Sequence, residues 1–258
     1  MKRLNYYTLL AILTVIDMII LVVRDMTMPV TSGSPDLNFL THNLFLGLTP
    51  LLVAWLLSWA VTKLSAKVVI LFVIIASFLW LIFYPNAPYM ITDTIHVNDT
   101  TTIRIDTQYY QIKNPQLTQT GGVTEIHGPV EKISSNIAIY DSLIIFLFAI
   151  LSMFYGMFSL KIMHRVWTQF FGKALAYIGA IISIILSGLG IYIGRMANLR
   201  FNSTDIFTEP AVVIKAVLGC LFPVSANHAT YVMIFLFSLI QFSIIVMMRD
   251  MEKPAASA

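Results

Sequence analysis

The sequence predicts an all-α integral membrane protein of about six transmembrane helices, forming a single polytopic domain over residues 1–258. Three observations carry that expectation. Hydrophobic residues make up 58% of the chain and charged residues only 11%, whereas a soluble domain carries about a quarter charged residues. Mean hydropathy is +0.81. Apolar runs near the length of about 20 residues needed to cross a bilayer recur along the chain. No soluble fold of 258 residues could hide that much apolar surface.

The first run follows Met1-Lys2-Arg3 and extends from about Tyr6 to Val23. It is longer than a signal-peptide core and no A-x-A-like site closes it, so a retained helix is expected. The second and third runs cover 39–61 and 68–84. The third ends in Trp80, Phe83 and Tyr84, the amphipathic aromatics that favour a membrane interface, and Pro85 is expected to stop it. A long connection follows. Within it, residues 97–136 are expected to form an extracytoplasmic loop insertion. The β-branched alternation of Thr100 to Asp106, the Gly121-Gly122 turn signal and Val123 to Ile126 predict a small β-hairpin there. The fourth and fifth runs, 137–160 and 174–194, precede a segment from Ala211 to Phe222 that is bounded by Pro210 and Pro223. About a dozen residues cannot span, so an interfacial or re-entrant helix is expected. The sixth run, 229–248, completes the set.

Lys and Arg concentrate in alternate connections. Lys2 and Arg3, Lys63 and Lys67, then Lys161, Arg165 and Lys173, and finally Arg249 and Lys253 place both termini in the cytoplasm, and the Lys-Leu-rich N-terminus with no transit-peptide pattern suits a bacterial plasma membrane. Arg24, Arg195, Arg200 and Lys215 oppose this assignment without overturning it. The net charge of +3 is thus an orientation signal, and nucleic-acid binding is set aside. Cys220 is the only cysteine, which excludes an internal disulfide and leaves apolar packing as its role. There is no internal repeat, no phosphate-binding G-x-x-x-x-G-K-[ST] loop, no H-E-x-x-H and no G-x-S-x-G, so the usual signatures of duplicated transporters, ATP-driven transport, zinc proteolysis and serine hydrolysis are missing.

Polar residues inside or beside apolar runs mark where function can sit. Pro85-Asn86-Ala87-Pro88-Tyr89-Met90-Ile91-Thr92-Asp93 leaves the third run, and Asn86 and Thr92 are placed to satisfy backbone groups freed by the prolines. Asp93 and His96 share one face if the segment is helical; they read either as an interfacial cap and solvated loop or as acid, base or metal ligands. Tyr140-Asp141 opens the fourth helix, where Asp141 suits a helix N-terminus. Ser152, Gly156 and Ser159, and Gly179, Ser183, Ser187, Gly190 and Gly194, form small-residue stripes suited to close helix packing. Arg195, Asn202 and Asp205 follow the fifth helix, with Arg195 either at the interface or in a buried pair. Asp17, deep in the first helix, must face the bundle, as a structural hydrogen-bonding acid or as a proton or cation relay. Because each motif lies at the outer end of a helix, Asp93, His96, Asp141, Arg195 and Asp205 are expected to meet in one outer-leaflet site, Arg195 being the nearest cation to both carboxylates.

These stretches together resemble a bacterial membrane family of unknown function, DUF1361. The resemblance rests on the P-N-A-P-Y-x-x-T-D string at Pro85 to Asp93 with His96, the aromatic-aspartate pair Tyr140-Asp141, and Gly194, Arg195, Arg200, Asn202, Ser203 and Asp205. Asn43, Leu46 and Pro50 add an N-x-x-L-x-x-x-P spacing. The resemblance runs from about residue 39 to 248. Two positions depart from it: the connection between His96 and Tyr140 is longer, and Phe201 stands where tryptophan is expected. It implies no reaction and no cofactor. Three functions stay open: binding or transport of a small polar or ionic ligand at the outer-face cluster, through a cavity reaching Asp17; a membrane-embedded enzyme acting on a lipid-linked or envelope substrate; and a non-catalytic accessory or assembly factor with no pocket. Beyond the lipid bilayer, no protein partner is implied.

Overall fold

A computed structural model describes residues 6–27, 37–63, 65–95, 135–195, 201–224 and 227–251. Among these residues the fold is all-helical. Six helices are long and apolar enough to cross a membrane. They are α1 (Tyr6–Thr27), α2 (Asn38–Ala60), α3 (Ala66–Phe83), α5 (Ser135–Phe171), α6 (Lys173–Arg195) and α9 (His228–Met251). Between α3 and α5 lies a one-turn helix, α4 (Asn86–Tyr89), running into a 3₁₀ turn (Met90–Ile95). Between α6 and α9 lie α7 (Asp205–Thr208) and the 12-residue α8 (Pro210–Leu221). The hairpin expected from Thr100 to Ile126 lies outside the described residues, as does the expected 97–136 insertion as far as residue 134, and residues 135 and 136 belong to α5.

Helix α5 is the hub. Of its apolar stretch 72% is buried, against 17% for α1 and for α9, and it packs on α1, α2, α4, the 3₁₀ turn, α6 and α9. In lipid the surrounding chains are as apolar as leucine, so helices associate through close packing and hydrogen bonds rather than through apolar transfer. Small residues supply that closeness. A Cβ on Gly47 of α2 would lie 2.1 Å from Ser152 Oγ of α5, and one on Gly156 would lie 3.0 Å from Ala87 Cβ of α4. Ser152 also donates to the Ala87 carbonyl at 2.9 Å, so α2, α4 and α5 are tied at one point.

The α6 stripe is buried against several partners rather than one. Gly179 faces the Trp167 ring of α5, Gly188 faces the Ile234 carbonyl of α9, at 2.8 Å from a would-be Cβ, and Gly190 faces Pro85. Ser183 and Ser187 between them are 3% and 0% exposed.

Two boundaries differ from the sequence expectation. The fourth helix does not end near residue 160 but continues to Phe171, so Lys161 and Arg165 lie on it rather than in a connection. Its buried face persists through Ile162, Met163, Val166 and Trp167, and nothing breaks the ladder before Gly172. Gly172 adopts φ +83°, a left-handed conformation that suits a glycine just past a helix, and α6 starts at the next residue. Pro85 likewise ends α3 without ending the coil. A proline in a first helical turn forfeits no hydrogen bond, so the chain winds on through α4, where Tyr89 N–H donates to the Pro85 carbonyl at 2.9 Å.

Candidate functional site at the Asn86 end of the bundle

Asp93 sits on the 3₁₀ turn, fully buried, within reach of three elements. Arg195, the last residue of α6, donates from Nη2 to Asp93 Oδ1 at 2.6 Å and to the Thr92 carbonyl at 3.2 Å. Asn43 of α2 donates from Nδ2 to Asp93 Oδ2 at 2.8 Å. The Arg195 guanidinium also lies over the Tyr89 ring, 5.3 Å from its centroid. Thr92 Oγ1 donates to the Tyr89 carbonyl at 2.7 Å, holding the turn that presents Asp93. Charge, hydrogen bonds and ring contact together offset the several kcal/mol that desolvating each ion costs.

Asp141 does not join this group. Its carboxylate is taken by Arg24 of α1 in a two-pronged pair, Nε to Oδ1 and Nη2 to Oδ2, each 3.0 Å, with both side chains 0% exposed. Arg24 Nη1 also donates to Asp25 at 3.1 Å. The single cluster expected around Arg195 is therefore two separate ion pairs. The physical reason is on α1, whose inward residues Leu10, Asp17, Leu21 and Arg24 form one stripe. Arg24 lies one and two turns beyond Leu21 and Asp17 and must face inward with them. That spacing is the signal by which the sequence could have identified it. Tyr140, beside Asp141, packs half-buried against the core.

Asp205 is also apart from Arg195: its Oδ2 accepts from the Asn202 backbone N–H at 2.8 Å, a local turn. His96 and Arg200 lie outside the described residues. Asp17 faces the bundle as expected, at 5% exposure, and no hydrogen bond to it is present among the described residues. Nearby, Thr14 and Tyr155 share a hydrogen bond between α1 and α5. No group of three or more His, Cys, Asp or Glu side chains suited to a metal ion is present among the described residues.

A cavity of about 350 Å³ opens beside the Asp93–Arg195 pair, bounded by α2, α3, α4, α6 and the segment from Phe201 to α8. Its polar lining comes from His42, Asn43, Asn86, Tyr89, Asn202 and Ser203. Its remaining walls are apolar, from Phe78 and Leu81 of α3 through Leu186 and Leu189 of α6 to Val213 and Val217 of α8. Glycines at 190 and 194 keep the α6 wall thin, since a Cβ at 190 would lie 2.8 Å from Pro85 Cγ. Asn86 anchors the polar end. Its Oδ1 accepts from Ser203 Oγ at 2.9 Å, and its Nδ2 is buried with no hydrogen-bond partner among the described residues. Asp17 is not part of this lining.

Of the residues expected at the site, Asn86, Tyr89 and Asn202 line the cavity, and Thr92, Asp93 and Arg195 stand behind it. His42 was not singled out from sequence, because a lone histidine near a helix start has no motif. No curated protein and no solved structure matches the chain. The family described as Protein of unknown function (DUF1361) matches residues 42–244, taking in α4, Asp93, Asp141, Arg195 and the cavity lining, and this multi-pass membrane protein belongs to that family.

Proposed function

We propose that the protein binds a lipid-like amphiphile in the cavity at the Asn86 end, with a hydrogen-bonding head at Asn86, Asn202 and Ser203 and an apolar tail against α3, α6 and α8. The observation that carries this reading is the buried, unpartnered Nδ2 of Asn86 in a cavity whose other walls are apolar. A buried donor without a partner costs roughly 1–3 kcal/mol, and a ligand oxygen would recover it. Pairing of Asp93 with Arg195 and of Asp141 with Arg24 leaves neither carboxylate as a cation ligand, which argues against an ionic cargo. An accessory role with no pocket is disfavoured by the cavity itself. For an enzyme acting on a lipid-linked substrate, His42 is the imidazole lining the cavity, and that reading shares the binding step.

The cavity lies at the end of the bundle opposite Lys63 and Lys161, and the distribution of Lys and Arg supports an outer-leaflet position for it with both termini cytoplasmic, in what we propose is a bacterial plasma membrane. In this arrangement α8 lies at the interface and the connection between α4 and α5 lies on the extracytoplasmic side.

Native mass spectrometry of the detergent-purified protein with monoolein, whose head is neutral and hydrogen-bonding, tests the proposal. Saturable binding is expected, weakened about fivefold in Asn86→Leu, in line with the loss of one neutral hydrogen bond of about 1 kcal/mol, and abolished in Val217→Trp, which fills the apolar part. Glycerol alone should not compete. Binding unchanged in both variants would refute it.

A further inference from the structure

A second cavity, also about 350 Å³, lies toward the opposite end of the bundle between α5, α6 and α9. Its walls are apolar, formed by Met157 and Leu160, Ala180, Ile181 and Ile184, and Ile245. Two basic side chains of α5, Lys161 and His164, stand in the same wall. His164 rests edge-on against the Tyr177 ring, 4.7 Å between centroids, and its Nε2 is buried with no hydrogen-bond partner among the described residues. Arg165 follows on the exposed side of α5, and Lys173 opens α6 just past Gly172. Three cationic side chains, Lys161, Arg165 and Lys173, thus stand beside an apolar slot on membrane-spanning helices. Ile181 and Tyr177 are more than half exposed on the outer surface of α6, so the slot is reached from the lipid side.

We infer that this slot is a binding site for an acidic phospholipid of the leaflet at the Lys161 end, with the phosphoryl group at Lys161 and His164 and an acyl chain along α6 and α9. Charge complementarity selects the occupant. A phosphodiester oxygen accepts a hydrogen bond from the His164 Nε2–H and faces the Lys161 ammonium. The net negative headgroup is further attracted by Arg165 and Lys173, each basic residue near an anionic membrane surface contributing about 1 kcal/mol. A zwitterionic lipid offers the same phosphate, but its own cation would sit among these cations. The inference does not rest on the cavity at the Asn86 end, which lies against the other half of α6.

The test is native mass spectrometry of the full-length chain purified in detergent. The additives are dioleoyl phosphatidylglycerol, dioleoyl phosphatidylcholine with the same chains, and inorganic phosphate. One phosphatidylglycerol should be retained in preference to phosphatidylcholine, and its affinity should fall about tenfold in Lys161→Gln, which removes a charge-assisted contact. Ile181→Trp fills the slot and should abolish retention. Ala180→Phe serves the same purpose if the tryptophan variant does not fold, and both are checked by circular dichroism and gel filtration. Equal retention of the two lipids, competition by inorganic phosphate at similar concentration, or full retention in a folded slot-filling variant would each overturn the inference.

Discussion

Replacing Asp141 by asparagine is the sharpest test of how this bundle handles charge. The variant removes the carboxylate while Arg24 stays at 0% exposure, facing a neutral amide where two 3.0 Å charge-assisted bonds had been. Breaking a buried ion pair from one side typically costs 3–5 kcal/mol, because the remaining ion is desolvated without compensation. Asp25 still holds Arg24 Nη1 at 3.1 Å, but its side chain is 39% exposed and exerts a weaker, solvent-screened attraction. The expected loss is therefore near the lower limit, about 3 kcal/mol. Arg24→Met alone should cost a similar amount, and the double variant should cost no more than about 3 kcal/mol instead of the about 6 kcal/mol of an additive pair, a coupling of about 3 kcal/mol. Unfolding of the purified protein in mixed micelles, followed by circular dichroism, measures all three. Combining Asp141→Asn with Arg195→Met should be additive, since Arg195 belongs to Asp93. Coupling of Asp141 to Arg195 instead of Arg24, or an Asp141→Asn change below about 1 kcal/mol, would refute the two-pair arrangement.

Two further outcomes follow from packing and orientation. Gly47→Ala should destabilise by about 1–3 kcal/mol, because its Cβ would meet Ser152 Oγ at 2.1 Å, and adding Ser152→Ala should relieve part of that in the same unfolding assay. A single cysteine introduced at position 115, after removal of Cys220, should react with an impermeant maleimide in intact cells. Labelling only after the cells are broken would reverse the proposed orientation.

Much of the architecture is legible in sequence because the bilayer imposes a length on every apolar run. Runs such as 68–84 and 174–194 needed only counting, and the short segment between Pro210 and Pro223 had to be something other than a span. Boundaries were less legible where charge and helix coexist. Lys161 and Arg165 look like loop residues by charge, yet Ile162, Met163, Val166 and Trp167 keep burying one face until Gly172 stops the helix. Charge partners were the hardest to read. Depth along the membrane normal follows from position in a helix, which made Arg195 an apt partner for Asp93, 102 residues away. Lateral position does not follow from it. The pairing of Asp141 with Arg24, 117 residues away, depends on α1 packing against α5. The clue was the inward stripe through Asp17 and Leu21, which counting Arg24 as an orientation charge obscured.

That pairing also bears on how far the family's shared region is self-sufficient. The match covers residues 42–244, and Asp141 falls inside it while Arg24, on α1, falls outside. Within the matched region the cation paired with Asp93 is Arg195, which is already held by the Asp93 carboxylate and the Thr92 carbonyl. A chain beginning at residue 37 would therefore leave Asp141 among apolar neighbours such as Ile144 and Ile145 with its arginine gone. An unpaired carboxylate there is disfavoured by several kcal/mol, so the truncated chain should fold poorly. Asp141→Asn should then improve the truncated chain while harming the full-length one. This opposite sign is readable as the yield of monodisperse protein after detergent extraction. If Asp141→Asn harms both chains alike, Asp141 has a partner within the matched region and α1 is not what neutralises it.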